Sequence, residues 1–185
     1  MELIEKTEAK PFGFVIIDKP SGISSHDCVQ RLRKHFRIKR VGHAGTLDPA
    51  VTGVLPIAIG DATRLIKYLP QGKVYKGRIK LGMSTTTDDL EGEILNENSW
   101  PKLDIFSLEQ YLNKFRGVIE QKPPKVSSVH IKGERAYKRA RKGEKFILPS
   151  RQITINELNL LKWEVEKGEI EIQIDCSSGT YIRSI

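Results

Sequence analysis

The sequence predicts an α+β fold in which a mixed, mainly antiparallel β-sheet carries flanking helices. Predicted strands outnumber helices, two segments alternate apolar and polar residues with period two, and several links between strands are too short for a parallel crossover. The first strand is the apolar run Phe12 to Ile17, read as buried and ended by the turn Asp18-Lys19-Pro20-Ser21-Gly22. A helix follows, capped by Ser24 or Ser25. Val29, Leu32 and Phe36 recur on one side of it, which leaves its arginines and lysines on the exposed side.

Val54 to Ile59 reads as the next strand, and Gly60-Asp61 opens a helix with an apolar stripe of Ala62, Leu65, Ile66 and Leu69. Pro70-Gln71-Gly72 closes it. Val74 to Met83 alternates, with Tyr75, Gly77, Ile79 and Leu81 on one face and Lys76, Arg78 and Lys80 on the other, as a half-buried strand does. Ser107 and Gln110 fit a capping box for a helix bearing Leu108, Tyr111, Leu112 and Phe115, with Gly117 as its stop. Val126 to Ile131 and Gln152 to Val165 read as strands, the second one bent. Glu169 to Cys176 places Ile170, Ile172, Ile174 and Cys176 inward, and Ser177-Ser178-Gly179-Thr180 turns toward a helix at Tyr181 that is cut off at Ile185.

With 185 residues, 38% of them hydrophobic and 29% charged, the chain can bury one full core or a core with a small appendage. Met1 to Lys6 has no apolar stretch of signal-peptide length, and Val54 to Ile59 is far too short to span a bilayer, so a soluble cytoplasmic protein is expected. Cys28 and Cys176 are far apart and form no CxxC pair. Neither a disulfide framework nor a metal site is expected from them or from the four scattered histidines.

The formal net charge of +8 points to a polyanionic partner, and its distribution is local. Arg31, Arg33, Lys34, Arg37, Lys39 and Arg40 stand together without an intervening acid. A second basic segment runs from Lys122 to Lys145, and an acidic stretch from Asp88 to Glu109 lies between them. Two basic segments of this kind suit a phosphate-backbone track. Immediately after the first comes Gly42-His43-Ala44-Gly45-Thr46-Leu47-Asp48-Pro49. Its glycines allow the backbone to turn or to approach a ligand, and Pro49 biases Asp48 toward an extended conformation, so the loop can present one carboxylate in a fixed direction. Read alone, these residues are better taken as an ordinary Asp-Pro turn, and the rest of the chain has to change that reading.

The neighbours of that loop, in order and spacing, give it a family likeness. Asp18-Lys19-Pro20-Ser21-Gly22-Ile23-Ser24-Ser25 is followed by Arg40 to Pro49 and Thr52-Gly53-Val54-Leu55-Pro56. Lys73-Val74-Tyr75-Lys76-Gly77, Thr85-Thr86-Thr87-Asp88, Gln121-Lys122-Pro123-Pro124 and Gly179-Thr180-Tyr181-Ile182-Arg183 come after them. The ordered set resembles the catalytic domain of TruB-type tRNA pseudouridine synthases over nearly the whole chain. The resemblance implies an isomerase that needs no cofactor and no metal, and converts uridine 55 in the T loop of tRNA to pseudouridine after base flipping. It implies Asp48 as the catalytic carboxylate, Arg183 as its cation partner and Tyr75 as the residue that stacks on the flipped uracil and assists at carbon 5.

By the same resemblance His43 fills the space left by the flipped base, Lys19 supports the active-site loop, and Tyr181, Arg40 and Thr46 belong with the substrate-binding residues. The implied partner is the T stem-loop of tRNA, with no membrane, no obligate protein partner and a monomeric state. Residues 1–185 are then the catalytic domain, incomplete at its C-terminal end and without the family's small C-terminal RNA-binding domain. One departure stands out. After Pro124 the family commonly shows Tyr-Ser-Ala and then a lysine, whereas this chain has Val126-Ser127-Ser128-Val129-His130, so those side-chain roles are not carried onto Val126 and His130. The competing classes are an RNA-binding module without catalysis and a nucleoside-bond hydrolase. The second lacks a convincing further carboxylate to accompany Asp48.

Overall fold

The computed structural model describes residues 11–131 and 133–185; the reading of Met1 to Lys6 lies outside them. The chain divides into two compact units, one ending at Pro70 and the other beginning at Gln71. The α+β class and the antiparallel pairing are borne out, and every strand pair among the described residues is antiparallel.

In the first unit, β1 (Gly13–Lys19), β2 (Val41–His43) and β3 (Gly53–Ile59) form a sheet of order β1-β3-β2. Helix α1 (Ser25–Phe36) begins at Ser24, whose hydroxyl accepts the Asp27 N–H while the Asp27 carboxylate accepts the Ser24 N–H. The core joins Cys28 and Val29 of the helix to Val41, Leu55 and Ile57 of the sheet, with Ile17, Leu32 and Leu47 packed at its margin. The apolar run at β1 is not buried on both sides. Phe14 and Ile16 point outward with 37% and 63% exposure, because only the face that carries Val15, Ile17 and Lys19 turns toward the core. The expected helix after Gly60 is instead a 3-10 helix over Gly60–Tyr68. Its tighter winding leaves Leu65 exposed and buries only Ala62 from the predicted stripe.

The second unit is built on a sheet of order β4-β11-β10-β7, from β4 (Lys73–Lys80), β7 (Gly117–Gln121), β10 (Arg151–Glu164) and β11 (Glu169–Cys176). The inward residues of β11 are those expected. They pack with Ile153, Ile155 and Leu158 and with Leu108 and Leu112 of α2 (Ile105–Asn113). The predicted bend of β10 is present as register shifts after Ile155 and Leu160.

Four readings are corrected in this unit. The alternation through Met83 breaks at Gly82, where φ is +79°, and Met83 opens a separate hairpin of β5 (Met83–Thr85) and β6 (Ile94–Glu97). Helix α2 is capped by Asp104, not Ser107: the Asp104 carboxylate accepts the Ser107 N–H at 2.7 Å, and Tyr111 faces outward. The strand expected over Val126 to Ile131 shrinks to β8 (His130–Ile131), paired with β9 (Glu134–Arg135) and followed by the short helix α3 (Ala136–Arg141). Tyr181 leads into a single 3-10 turn over Ile182–Ser184.

The solvent face of the sheet is laced by ion pairs, including Lys76 with Glu171 at 2.7 Å and Arg78 with Glu169 at 3.4 Å. Where β10 ends, Glu164 accepts from Lys162 and from Lys167, which together hold its carboxyl down at about 2. A depressed carboxyl stabilises the fold fully above the ordinary glutamate value of 4.5, and this contribution is lost as pH falls through about 2. An NMR titration of the Glu164 side chain is expected to show a midpoint near 2, raised by Lys162→Gln. A midpoint in the ordinary glutamate range would contradict the pairing.

Candidate active site

The loop that carries Asp48 joins β2 to β3 and is tied down on both sides of the aspartate. The Leu47 N–H donates to Ser25 Oγ at 2.9 Å, and that hydroxyl donates to the Leu47 carbonyl at 3.2 Å. On the other side the Pro49 carbonyl accepts from Lys19 Nζ at 3.1 Å and from the Gly22 N–H at 2.9 Å. The Asp48 carbonyl accepts the Val51 N–H at 3.0 Å, which closes a turn across Pro49 and Ala50.

Lys19 is the anchor of this arrangement. Its residue exposure is 0%, and Nζ donates to the carbonyls of Pro20 at 2.8 Å, Ile23 at 2.7 Å and Pro49. A lysine ammonium has three donors and no acceptor, so these carbonyls saturate it and link the end of β1, the start of α1 and the Asp48 loop. Its placement on β1 gives it the inward direction. Ser25 owes its own to the first turn of α1, where Ser24 takes the cap and leaves the next hydroxyl facing the loop.

The other predicted residues of this unit lie nearby in the chain. His43 ends β2 opposite Ile57 and is half-buried, and Thr46 is exposed on the loop. Arg40 is engaged within the protein: it pairs with Asp61, and its Nε donates to Thr63 Oγ1 at 2.9 Å. Arg40 stays exposed, whereas Arg33 of α1 is turned inward and donates to the Val41 carbonyl at 3.0 Å, contrary to the expectation that the arginines and lysines of the helix face outward. Arg31, Lys34, Arg37 and Lys39 remain exposed as a basic face.

In the second unit Tyr75 stands on β4 opposite Ile174, half-buried and packed against the sheet core. Arg183 is held there by backbone and carboxylate together. Nη1 donates to the Thr87 carbonyl at 3.0 Å and approaches Asp89 Oδ2 at 3.3 Å, and Nη2 donates to the Val126 carbonyl at 3.0 Å. Asp89 is itself fixed by the Thr87 hydroxyl at 2.6 Å and the Glu91 N–H at 3.0 Å. The Val126 departure therefore leaves this contact intact, because a backbone carbonyl is present whatever the side chain.

Tyr181 is clamped through its backbone. The buried Gln121 side chain donates to the Tyr181 carbonyl at 2.8 Å and accepts the Tyr181 N–H at 2.8 Å. Gln121 and Asp89 were not among the predicted site residues. Gln121 lies in the Gln-Lys-Pro-Pro segment and Asp89 directly follows the Thr85 to Asp88 turn, but nothing in the sequence separates them from solvated polar residues. Around α3 the second basic segment is partly neutralised, by Arg139 with Glu144 at 2.6 Å and Lys142 with Glu134 at 2.8 Å, while Lys138 and Arg141 stay exposed. Among the described residues no cluster of His, Cys, Asp and Glu could hold a metal ion, and no helix is long and apolar enough to cross a membrane.

Antiparallel sheets with few helices have a counterpart among known proteins. The profile of the TruB family pseudouridylate synthase N-terminal domain matches residues 33–182, and the chain belongs to that family. It is 64% identical over 176 residues to tRNA pseudouridine synthase B of Prochlorococcus marinus strain NATL2A, an overlap of 95% of this chain and 56% of that protein. It is 59% identical over 175 residues to the protein of the same name from Synechococcus sp. strain CC9311, covering 95% of this chain and 59% of that one. The chain thus spans somewhat over half the length of these curated relatives. Among solved structures, it matches a chain of a Cbf5-Nop10-Gar1 complex with a TM-score of 0.65 and 28% identity, over 94% of this chain and 42% of that chain. An H/ACA RNP bound to a substrate RNA containing 2′-deoxyuridine gives 0.63 and 26%, over 94% and 40%.

Proposed function

We propose that this chain provides the catalytic machinery of a tRNA pseudouridine synthase that isomerises uridine 55 in the T loop, acting on a base flipped out of the RNA stack. The observation that carries this reading is the Asp48 loop, fixed on one side by Ser25 and on the other by buried Lys19. A backbone fixed on both sides of the aspartate before substrate arrives needs little reorganisation during the reaction. Relatives named tRNA pseudouridine synthase B support the substrate class.

The chemistry needs no redox partner. The bond from N1 to the ribose C1′ breaks, C5 attaches to C1′, the C5 proton leaves and N1 gains a proton, so substrate and product are isomers. Asp48 serves as nucleophile toward the sugar or base, or as the base at the ribose. Arg183 is the cation partner that the family pattern carries to Asp48, and Tyr75 stacks on the flipped uracil and assists removal of the C5 proton. His43 replaces the extruded base, Tyr181 and Thr46 contact the nucleotide, and the exposed cations of α1 hold phosphates. Arg40 reaches RNA by exchanging its exposed Asp61 partner for a phosphate.

Incubation with T-arm RNA tritiated at uridine carbon 5 tests the reading. Tritium release that depends on a uridine at the target position is expected. RNA binding without release would replace the enzyme reading with that of a binding module.

A further inference from the structure

Arg151 opens β10 directly opposite Gln121 of β7, and both side chains of this cross-strand pair act on Tyr181. Gln121 holds the Tyr181 backbone. Arg151 stacks its guanidinium on the Tyr181 ring, 4.7 Å from the centroid. The same guanidinium lies against Gly179: its carbon and both terminal nitrogens are each 3.5 Å from the position a β-carbon there would take. Equal distances to all three atoms put that position over the guanidinium plane and not at its edge.

The flat surface of Arg151 is thus used for packing, while its hydrogen-bonding edge is not. Among the described residues Arg151 has no carboxylate partner, and Nε is buried without an acceptor. Nη1 and Nη2, by contrast, are open to solvent, and their four donors lie in the guanidinium plane and ask for acceptors there. A phosphate answers that demand, because two of its oxygens match two parallel N–H donors, whereas a lysine ammonium offers no such fork. Stacking on Tyr181 fixes the plane in advance and reduces the ordering needed on binding.

We infer that Arg151 is a backbone-phosphate ligand for the RNA substrate, its guanidinium held edge-outward by Tyr181 and Gly179. The inference rests on the RNA-modifying reading above and adds one phosphate contact beside Tyr181.

The test is a salt titration of T-arm RNA binding for the wild-type protein, Arg151→Gln and Arg151→Lys. Each phosphate contact contributes a slope of about 0.7–0.9 to log K against log salt. Removing one contact should therefore make the affinity gap between wild type and Arg151→Gln shrink about threefold between roughly 50 and 200 mM salt. Arg151→Lys keeps the charge and should keep the wild-type slope, with weaker binding at every salt concentration because the planar fork is lost. A wild-type slope in Arg151→Gln, even with slower turnover, would overturn the assignment and leave Arg151 as a positioning residue for Tyr181. A reduced slope in Arg151→Lys would also overturn it, since charge would then not be the quantity lost. Salt-independent binding or no binding by the wild-type protein would instead remove the RNA reading on which the inference depends.

Discussion

Asp48→Asn is expected to lower tritium release from T-arm RNA on the order of 10⁴-fold, the scale on which enzymes lose rate when a catalytic carboxylate is replaced. Asparagine has nearly the same shape, and the loop is held through Leu47 and Pro49 rather than through the Asp48 side chain alone. The loop conformation is therefore retained, and so is RNA affinity, because the substitution removes a negative charge from a protein that binds a polyanion. Circular dichroism and a binding titration check both points. Equal release by the two proteins would show that the Asp48 carboxylate takes no part in the reaction, whatever the family pattern implies.

Lys19→Met should cost about 3 kcal/mol of stability, read as a fall on the order of 1 M in the urea midpoint. Methionine fills similar space, so the loss is not a cavity effect. It comes from leaving the carbonyls of Pro20, Ile23 and Pro49 without the donor that joins them. Turnover should fall as well, because Pro49 is the residue that fixes the Asp48 backbone from its C-terminal side. Ser25→Ala releases the other side and makes a useful comparison: it removes two hydrogen bonds to Leu47 but no charge. An unchanged urea midpoint in Lys19→Met would mean that other donors satisfy the carbonyls, and the anchoring role would be withdrawn.

Legibility followed the strength of the local pattern. Glu169–Cys176 alternates without interruption and β11 appears where the alternation places it, with the expected inward residues. The hairpin of β5 and β6 gave no such signal, since every residue of Ile94–Glu97 is exposed and no face of it is selected by burial. The cap of α2 was displaced by one turn because Asp104 and Ser107 are both competent caps, and the choice depends on where the chain enters the helix. The stripe at Ala62, Leu65, Ile66 and Leu69 could not distinguish a 3-10 helix from an α-helix, as spacings of three and four satisfy either over so short a run. The Asp48 loop stood out through the ordered segments around it, since its own glycines and proline read as an Asp-Pro turn. The partners of Arg183 and Tyr181 did not stand out. Two of the Arg183 contacts use backbone carbonyls, which carry no sequence signature, and Gln121 acts from a strand about sixty residues away.

The order β4-β11-β10-β7 has a consequence for synthesis on the ribosome. β7 and β10 become adjacent partners early, but β4 emerges long before β11, the strand that must be inserted between it and β10. Until Cys176 has been made, β4 is an unpaired strand on a nascent chain, open to pairing with any other exposed edge in the cell. Lys76, Arg78 and Lys80 alternate along that strand, and before Glu169 and Glu171 arrive to neutralise them they repel a second copy of the same segment. Cations that later become members of surface ion pairs thus first act as gatekeepers against aggregation during translation.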